Sequence, residues 1–158
     1  MNESQAKARL VTLESADIMR LLPHRYPFLL VDRIIDMDGD RSATGIKNVT
    51  ANEPHLQRQI AGNPIMPGVL LIEGMAQTAG ALCISFAEGL KAAPLVYFMA
   101  IDKARFRRPV FTGDTIFYHI KKMRGRGRIW RFGAQAIVNS TLVAEAEISA
   151  VLVEEERR

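Results

Sequence analysis

Between Arg58 and Glu88 the chain carries a single charge, Glu73, set in its most apolar helix-like run, Asn63 to Gly80. A carboxylate there is costly, because burial without a partner disfavours the ionised form. Apolar surroundings keep a glutamate when it is paired or has chemical work to do. Glu73 is therefore the first candidate for proton transfer. Gln77 follows one helical turn later, where an amide is placed to orient the carboxylate.

The elements that must position these residues can be read along the chain. Residues 1–14 form a charged lead-in, expected to be loosely held. Ser15 or Asp17 is expected to cap a short helix through Leu22, stopped by Pro23. A proline-bracketed turn, His24 to Pro27, leads into a strand expected from Phe28 to Met37. Asp38-Gly39-Asp40 is a hairpin signal, with a return strand from Arg41 to Thr50. Ala51 to Gly68 reads as irregular. Pro67-Gly68 opens the long helix, and Gly89 and Pro94 bracket its end. Leu95 to Ile101 is strand-like. Asp114–Met123, Arg128–Val138 and Leu142–Val153 are three long strands. In the last, Leu142, Ala144, Ala146, Ile148, Ala150 and Leu152 fall on one face, and Val143, Glu145, Glu147 and Ser149 on the other.

One apolar helix and five or six antiparallel strands imply an α+β protein. A helix apolar almost all round must be enclosed, so a curved antiparallel sheet wrapped around one long central helix, the hot-dog fold, is expected. With 158 residues, 48 % hydrophobic and 24 % charged, the chain makes one domain, 15–153, followed by a charged tail, 154–158. Val69 to Ala87 approaches the length of a membrane span, but its polar residues and glycines favour a wrapped core helix over a span. The polar start and the single Cys83, read as inert packing, point to a reducing cytoplasm.

Four segments, in order, strongly resemble the bacterial 3-hydroxyacyl-[acyl-carrier-protein] dehydratases of fatty-acid synthesis. They are Leu22 to Arg33 (Leu-Pro-His-Arg-Tyr-Pro-Phe-Leu-Leu-Val-Asp-Arg), Lys47 to Pro54, Pro64 to Gln77, and Arg105 to Val110. The resemblance covers about residues 15–153. It implies a hot-dog fold and a homodimer, often assembled as a trimer of dimers, with active sites shared across the dimer interface. It implies loss of water from a (3R)-hydroxyacyl thioester on acyl carrier protein, giving the trans-2-enoyl thioester. Neither metal nor redox cofactor is implied; the phosphopantetheine arm arrives with the substrate.

By the same resemblance, a histidine and a glutamate from opposite subunits act as base and acid, and a backbone N–H opening the central helix holds the thioester carbonyl. Glu73 matches the glutamate, whose apolar site suits a proton donor. Gly68 matches the backbone donor, at a helix N-terminus that favours developing negative charge. The histidine is absent. Where the family reads Gly-His-Phe-Pro, this chain reads Arg58-Gln59-Ile60-Ala61, and Gln59 stands in the histidine's place. An amide accepts and donates hydrogen bonds but is no base near neutral pH, so dehydration is expected to be impaired. Thr112 also departs, standing where the family usually has proline before Gly113.

Of the other histidines, His55 is weighed as a substitute base, His24 as a structural loop residue and His119 as a strand residue. Lys103, Arg105, Arg107 and Arg108 form a basic cluster, read either as a dock for the acidic carrier protein or as a solvated strand face. Arg124 to Arg128, with two glycines, reads as a hairpin turn rather than a nucleic-acid site. Tyr97, Phe98 and Met99 are candidates for an acyl tunnel or for core packing. Gln59 also admits a non-catalytic hot-dog protein that keeps acyl and carrier binding. A hot-dog thioesterase ranks last, because thioesterases usually lack the residue 22–27 opening.

Overall fold

The computed structural model describes residues 10–57, 62–87 and 94–154. In chain order the elements are β1 (Val11–Leu13), α1 (Ser15–Leu21), β2 (Arg33–Asp38), β3 (Ser42–Asn48), α2 (Pro54–Gln57), α3 (Gly68–Ser85), β4 (Pro94–Phe106), β5 (Thr115–Arg126), β6 (Ile129–Val138) and β7 (Thr141–Glu154). The strands form one sheet in the order β1-β2-β3-β5-β6-β7-β4, with every pair antiparallel. The sheet packs on α3 through β3 to β7, and α1 lies against α3 as well. This is the α+β hot-dog arrangement expected from the apolar run. The helix is long and apolar enough to cross a membrane by composition, yet two thirds of it (67 %) is buried inside the protein.

The turns form for reasons visible in the residues. Asn139 and Ser140 both take positive φ, the geometry that joins two twisted strands through a two-residue loop. Gly127 (φ +57°) closes the basic hairpin between β5 and β6, where Arg126 pairs with Ile129. β7 shows the expected alternation from Ala144 to Leu152. Val143 breaks it, because it is an extra residue opposite Ala136 and Ile137, and this irregularity turns it inward to 3 % exposure.

Several boundaries differ from expectation. Val11–Leu13 pair with β2, so that part of the lead-in belongs to the sheet; residues 1–9 lie outside the described residues. The cap of α1 is Glu14, in a reciprocal box with Asp17, rather than Ser15 or Asp17. Phe28–Asp32 is not strand. Phe28 and Leu29 donate back to the Arg25 carbonyl, and the ladder with β3 starts only at Arg33. β4 runs on to Phe106, past two irregularities in its pairing with β7. Glu154, assigned to the tail, ends β7 and pairs with Arg128; residues 155–158 and Gly89 lie outside the described residues.

Small residues let the helix sink into the sheet. A Cβ on Gly45 would lie 2.2 Å from the Thr78 hydroxyl, and one on Gly74 would lie 2.3–2.5 Å from the ring end of Tyr118. Farther along α3, burial pushes the Cys83 thiol up to about 12, which leaves it as inert packing. A Gly74→Ala variant is expected to lose about 1–3 kcal/mol through overpacking, read as a lower thermal midpoint. An unchanged midpoint would mean that α3 and β5 are not in rigid contact there.

Candidate active site

From Leu71 to Cys83 every residue of α3 is buried except Glu73. The sheet and the loop after α1 cover most of the helix. The stripe holding Val69 (71 % exposed) and Glu73 (side chain 35 % exposed) is the one they leave open. Glu73 is thus half-buried in the protomer, at the edge of the core rather than inside it.

Its carboxylate is held on one oxygen. Gln77 Nε2 donates to Glu73 Oε1 at 2.8 Å, and His24 Nε2 lies 3.3 Å from the same oxygen. The Gln77 side chain is also the knot of the neighbouring loop. Its Nε2 donates to the Phe28 carbonyl at 2.6 Å, and its Oε1 accepts the Leu30 N–H at 2.9 Å. At 1 % exposure the amide depends on such partners. Arg25 shapes the loop from outside, donating to the carbonyls of Met19, Leu22 and His24. His24 stays in the loop, as expected, and sequence spacing gives no local sign of its approach to a carboxylate 49 positions away.

Glu73 opens on a cavity of about 270 Å³ whose other walls are Val69, Ile72, Ala76, Phe98 and Ile101. Phe98 and Ala76 also line a smaller space of about 50 Å³ that runs beside Gly80 and Ile84. Of the three tunnel candidates, Phe98 thus lines the cavities, whereas Tyr97 and Met99 lie 58 % and 59 % exposed on the protomer surface. Gly68 starts α3, where first-turn N–H groups lack helical acceptors. The Phe106 ring sits where a Cβ on Gly68 would be, 2.8 Å away.

Gln59, with the whole 58–61 window, lies outside the described residues. Just before it, Lys47 and Glu53 form a buried ion pair at 2.9 Å, and His55 Nε2 lies 3.1 Å from Glu53 and 3.3 Å from the Met66 sulfur. Burial lowers the His55 pKa against the pull of Glu53. This cluster ties β3, α2 and the approach to α3 together. His119 bonds Thr44 across the β3–β5 pair, as expected of a strand residue. It lines a cavity of about 690 Å³ that includes Lys103, Glu145 and Glu147 but not Glu73. In the basic cluster, Lys103 pairs with Glu147 and Arg107 with Glu145. Arg105 donates only to a backbone carbonyl, and among the described residues Arg105 and Arg108 are the exposed members outside any ion pair.

Residues 22–147 match the family model for the FabA-like domain. The chain is 58 % identical over 156 residues to the 3-hydroxyacyl-[acyl-carrier-protein] dehydratase FabZ of Sinorhizobium medicae, covering 99 % of each. It is 61 % identical over 140 residues to the FabZ of Allorhizobium ampelinum, covering 89 % of this chain and 90 % of that one. Among solved structures, the dehydratase heterocomplex ApeI:P from Xenorhabdus doucetiae superposes with a TM-score of 0.73 at 19 % identity, over 87 % of this chain and 91 % of that one. A hypothetical thioesterase with coenzyme A from Streptococcus pneumoniae gives 0.59 at 13 % identity, over 77 % and 86 %. The two superpositions establish the shared fold.

Replacing Gln77 by Leu removes three hydrogen bonds and strands the Phe28 carbonyl and the Leu30 N–H. The expected loss is about 1–3 kcal/mol for each buried group left unpaired, measured by denaturant unfolding. Faster hydrogen exchange at the Leu30 amide should accompany it. If that amide stays as protected as before, the knot lies elsewhere.

Proposed function

The chain belongs to the FabA-like family, and from that premise we propose that it removes water from a (3R)-hydroxyacyl thioester on acyl carrier protein, giving the trans-2-enoyl thioester for fatty-acid synthesis in the cytoplasm. The carrying observation is Glu73, fixed by Gln77 at the mouth of an apolar cavity. In this reading the acyl chain enters along Phe98. The first-turn N–H at Gly68 receives the thioester oxygen, where helix polarity favours charge that develops as the C2 proton leaves. Glu73 serves the departing C3 hydroxyl, oriented through Gln77.

Position 59 is where this chain departs. The family base would act from there, and Gln59 cannot take a proton, so turnover is depressed. A purely binding role rests on the same residue and is the second reading.

The unit of function is a pair of chains joined along β4. That strand ends the sheet and exposes Tyr97, Met99 and Ile101, and neighbouring Val69 is exposed too; a long edge strand this apolar calls for a cover. Ile101 and Val69 also wall the Glu73 cavity, so the same contact would enclose it. Arg105 and Arg108 are the members of the basic cluster best placed to meet an acidic carrier.

Gln59→His is expected to raise hydration of a crotonyl thioester by ~10²–10⁴-fold, the usual contribution of a positioned base. Equal rates for the two proteins would remove position 59 from the reaction. Arg105→Glu with Arg108→Glu should raise KM several-fold more for a carrier-borne substrate than for a short free thioester. The gap should shrink with added salt. A KM that rises equally for both substrates would argue against docking at these arginines.

A further inference from the structure

We propose that Phe106 is a positioning residue for the elimination: a β-bulge at Lys103 turns its ring onto Gly68, where it braces the first turn of α3 and the N–H that receives the thioester oxygen. The proposal rests on the dehydratase reading above and adds the side chain that holds its backbone donor in place.

The register of the edge strand decides which way Phe106 points. β4 pairs Phe98 with Ala150, Ile101 with Ile148 and Phe106 with Ala144. Those three β7 residues are buried to 1 % exposure or less. Residues paired across two strands project from the same face, so Phe98, Ile101 and Phe106 all turn to the helix side. From Ile101 to Phe106 the strand advances five positions while β7 advances four, and the extra residue lies in the irregularity after Asp102. Lys103 takes φ +51° there, a left-handed conformation that is unfavourable for a lysine. Bulges of this kind re-aim the side chains near them. In an unbroken ladder Arg105 would face Ala144 and turn toward the helix, leaving Phe106 outward. With the bulge, Arg105 lies opposite Glu145 on the outer face, and Phe106 takes the inner one.

There the ring meets the start of α3. A Cβ on Gly68 would lie 2.8 Å from two carbons of the Phe106 ring, so the ring occupies the place that a side chain of residue 68 would take. The sheet does not enclose this turn as it encloses the rest of the helix: Val69 is 71 % exposed and Phe106 itself 55 %. The chain just after Phe106 holds the approach to the helix. Met66 donates to the Val110 carbonyl at 2.8 Å, and Ile65 bridges Phe111. Backbone thus fixes the residues before Gly68, and the Phe106 ring fixes Gly68. A donor stabilises developing charge best when it is in place before the charge appears. Misplacement by about 1 Å is enough to slow a reaction ~10²-fold.

The test is hydration of a crotonyl thioester, with thermal midpoints, by the unaltered chain and by Gln59→His. Each is compared with Phe106→Ala, Phe106→Tyr, Gly68→Ala and the Gly68→Ala, Phe106→Ala pair added to it. Phe106→Ala should lower kcat about 10- to 100-fold, with KM little changed, because a contact made through Gly68 acts in the transition state. Its thermal midpoint should hardly move, since half of the side chain is already in solvent. Phe106→Tyr keeps the ring and should keep most of the rate. Gly68→Ala should slow the enzyme while the ring is present, because its methyl group displaces the ring, and far less once the ring is gone. If Phe106→Ala leaves kcat unchanged, the inference fails and the dehydratase reading stands. A raised KM at constant kcat would make Phe106 a substrate contact and overturn its action through Gly68. So would equal losses in the Ala and Tyr variants, or strictly additive effects of the pair. If the chain is silent even with Gln59→His, the dehydratase reading fails and this inference falls with it.

Discussion

A primary amide buried to 1 % exposure must find its hydrogen bonds inside the protein, and Gln77 finds them on three different parts of the chain. One bond reaches Glu73 within its own helix. Two reach the backbone of Phe28 and Leu30, far away in sequence. The amide thereby holds the 24–30 loop against α3, and that loop brings His24 to the same carboxylate oxygen. Site and core share one fastening: the side chain that orients the carboxylate also satisfies the backbone of the loop that covers it. A buried network of this kind is stable only when every member is paired, so the geometry of Glu73 is tied to the correct folding of a segment that is not regular structure.

The location of the carboxylate follows from how much of a helix one sheet can cover. Strands β3 to β7 pack on α3, but the sheet ends at β4, and a stripe of helix holding Val69 and Glu73 stays open. The cavity forms along this stripe because Phe98 and Ile101, on the edge strand, lean over it. A carboxylate there keeps contact with solvent, while Gln77, one turn deeper, is sealed in. The larger cavity around His119 is lined from strands β2 to β7 by paired charges such as Lys103 and Glu147, and Glu73 is not among its walls.

Much of the architecture was legible in the residues because it depends on local rules. Pro67-Gly68 ahead of an unbroken apolar run marks a helix that must be enclosed. The period of two from Ala144 to Leu152 marks a strand with one wet face, and Asn139-Ser140 marks its turn. What failed were boundaries set by distant partners. Phe28–Asp32 has the apolar composition of a strand but turns back on Arg25 and is claimed by Gln77, so β2 begins at Arg33. Val143 points inward because of an irregularity in its pairing with β6. The basic cluster looked uniform in sequence, yet glutamates on β7 neutralise two of its four members.

The sequence by itself determined the kind of protein this is: one enclosed helix, a wrapping antiparallel sheet, and a lone carboxylate on that helix with an amide one turn on. Those features are fixed by side-chain type and by spacings of two, four or a few residues. Only the tertiary structure decided that Glu73 sits at the open edge of the sheet, that Gln77 ties it to the 24–30 loop, and that His24 Nε2 comes within 3.3 Å of the oxygen Gln77 donates to. These depend on contacts across 47 to 49 positions, formed once the strand order and the loop path are set, and no local pattern in the chain encodes them.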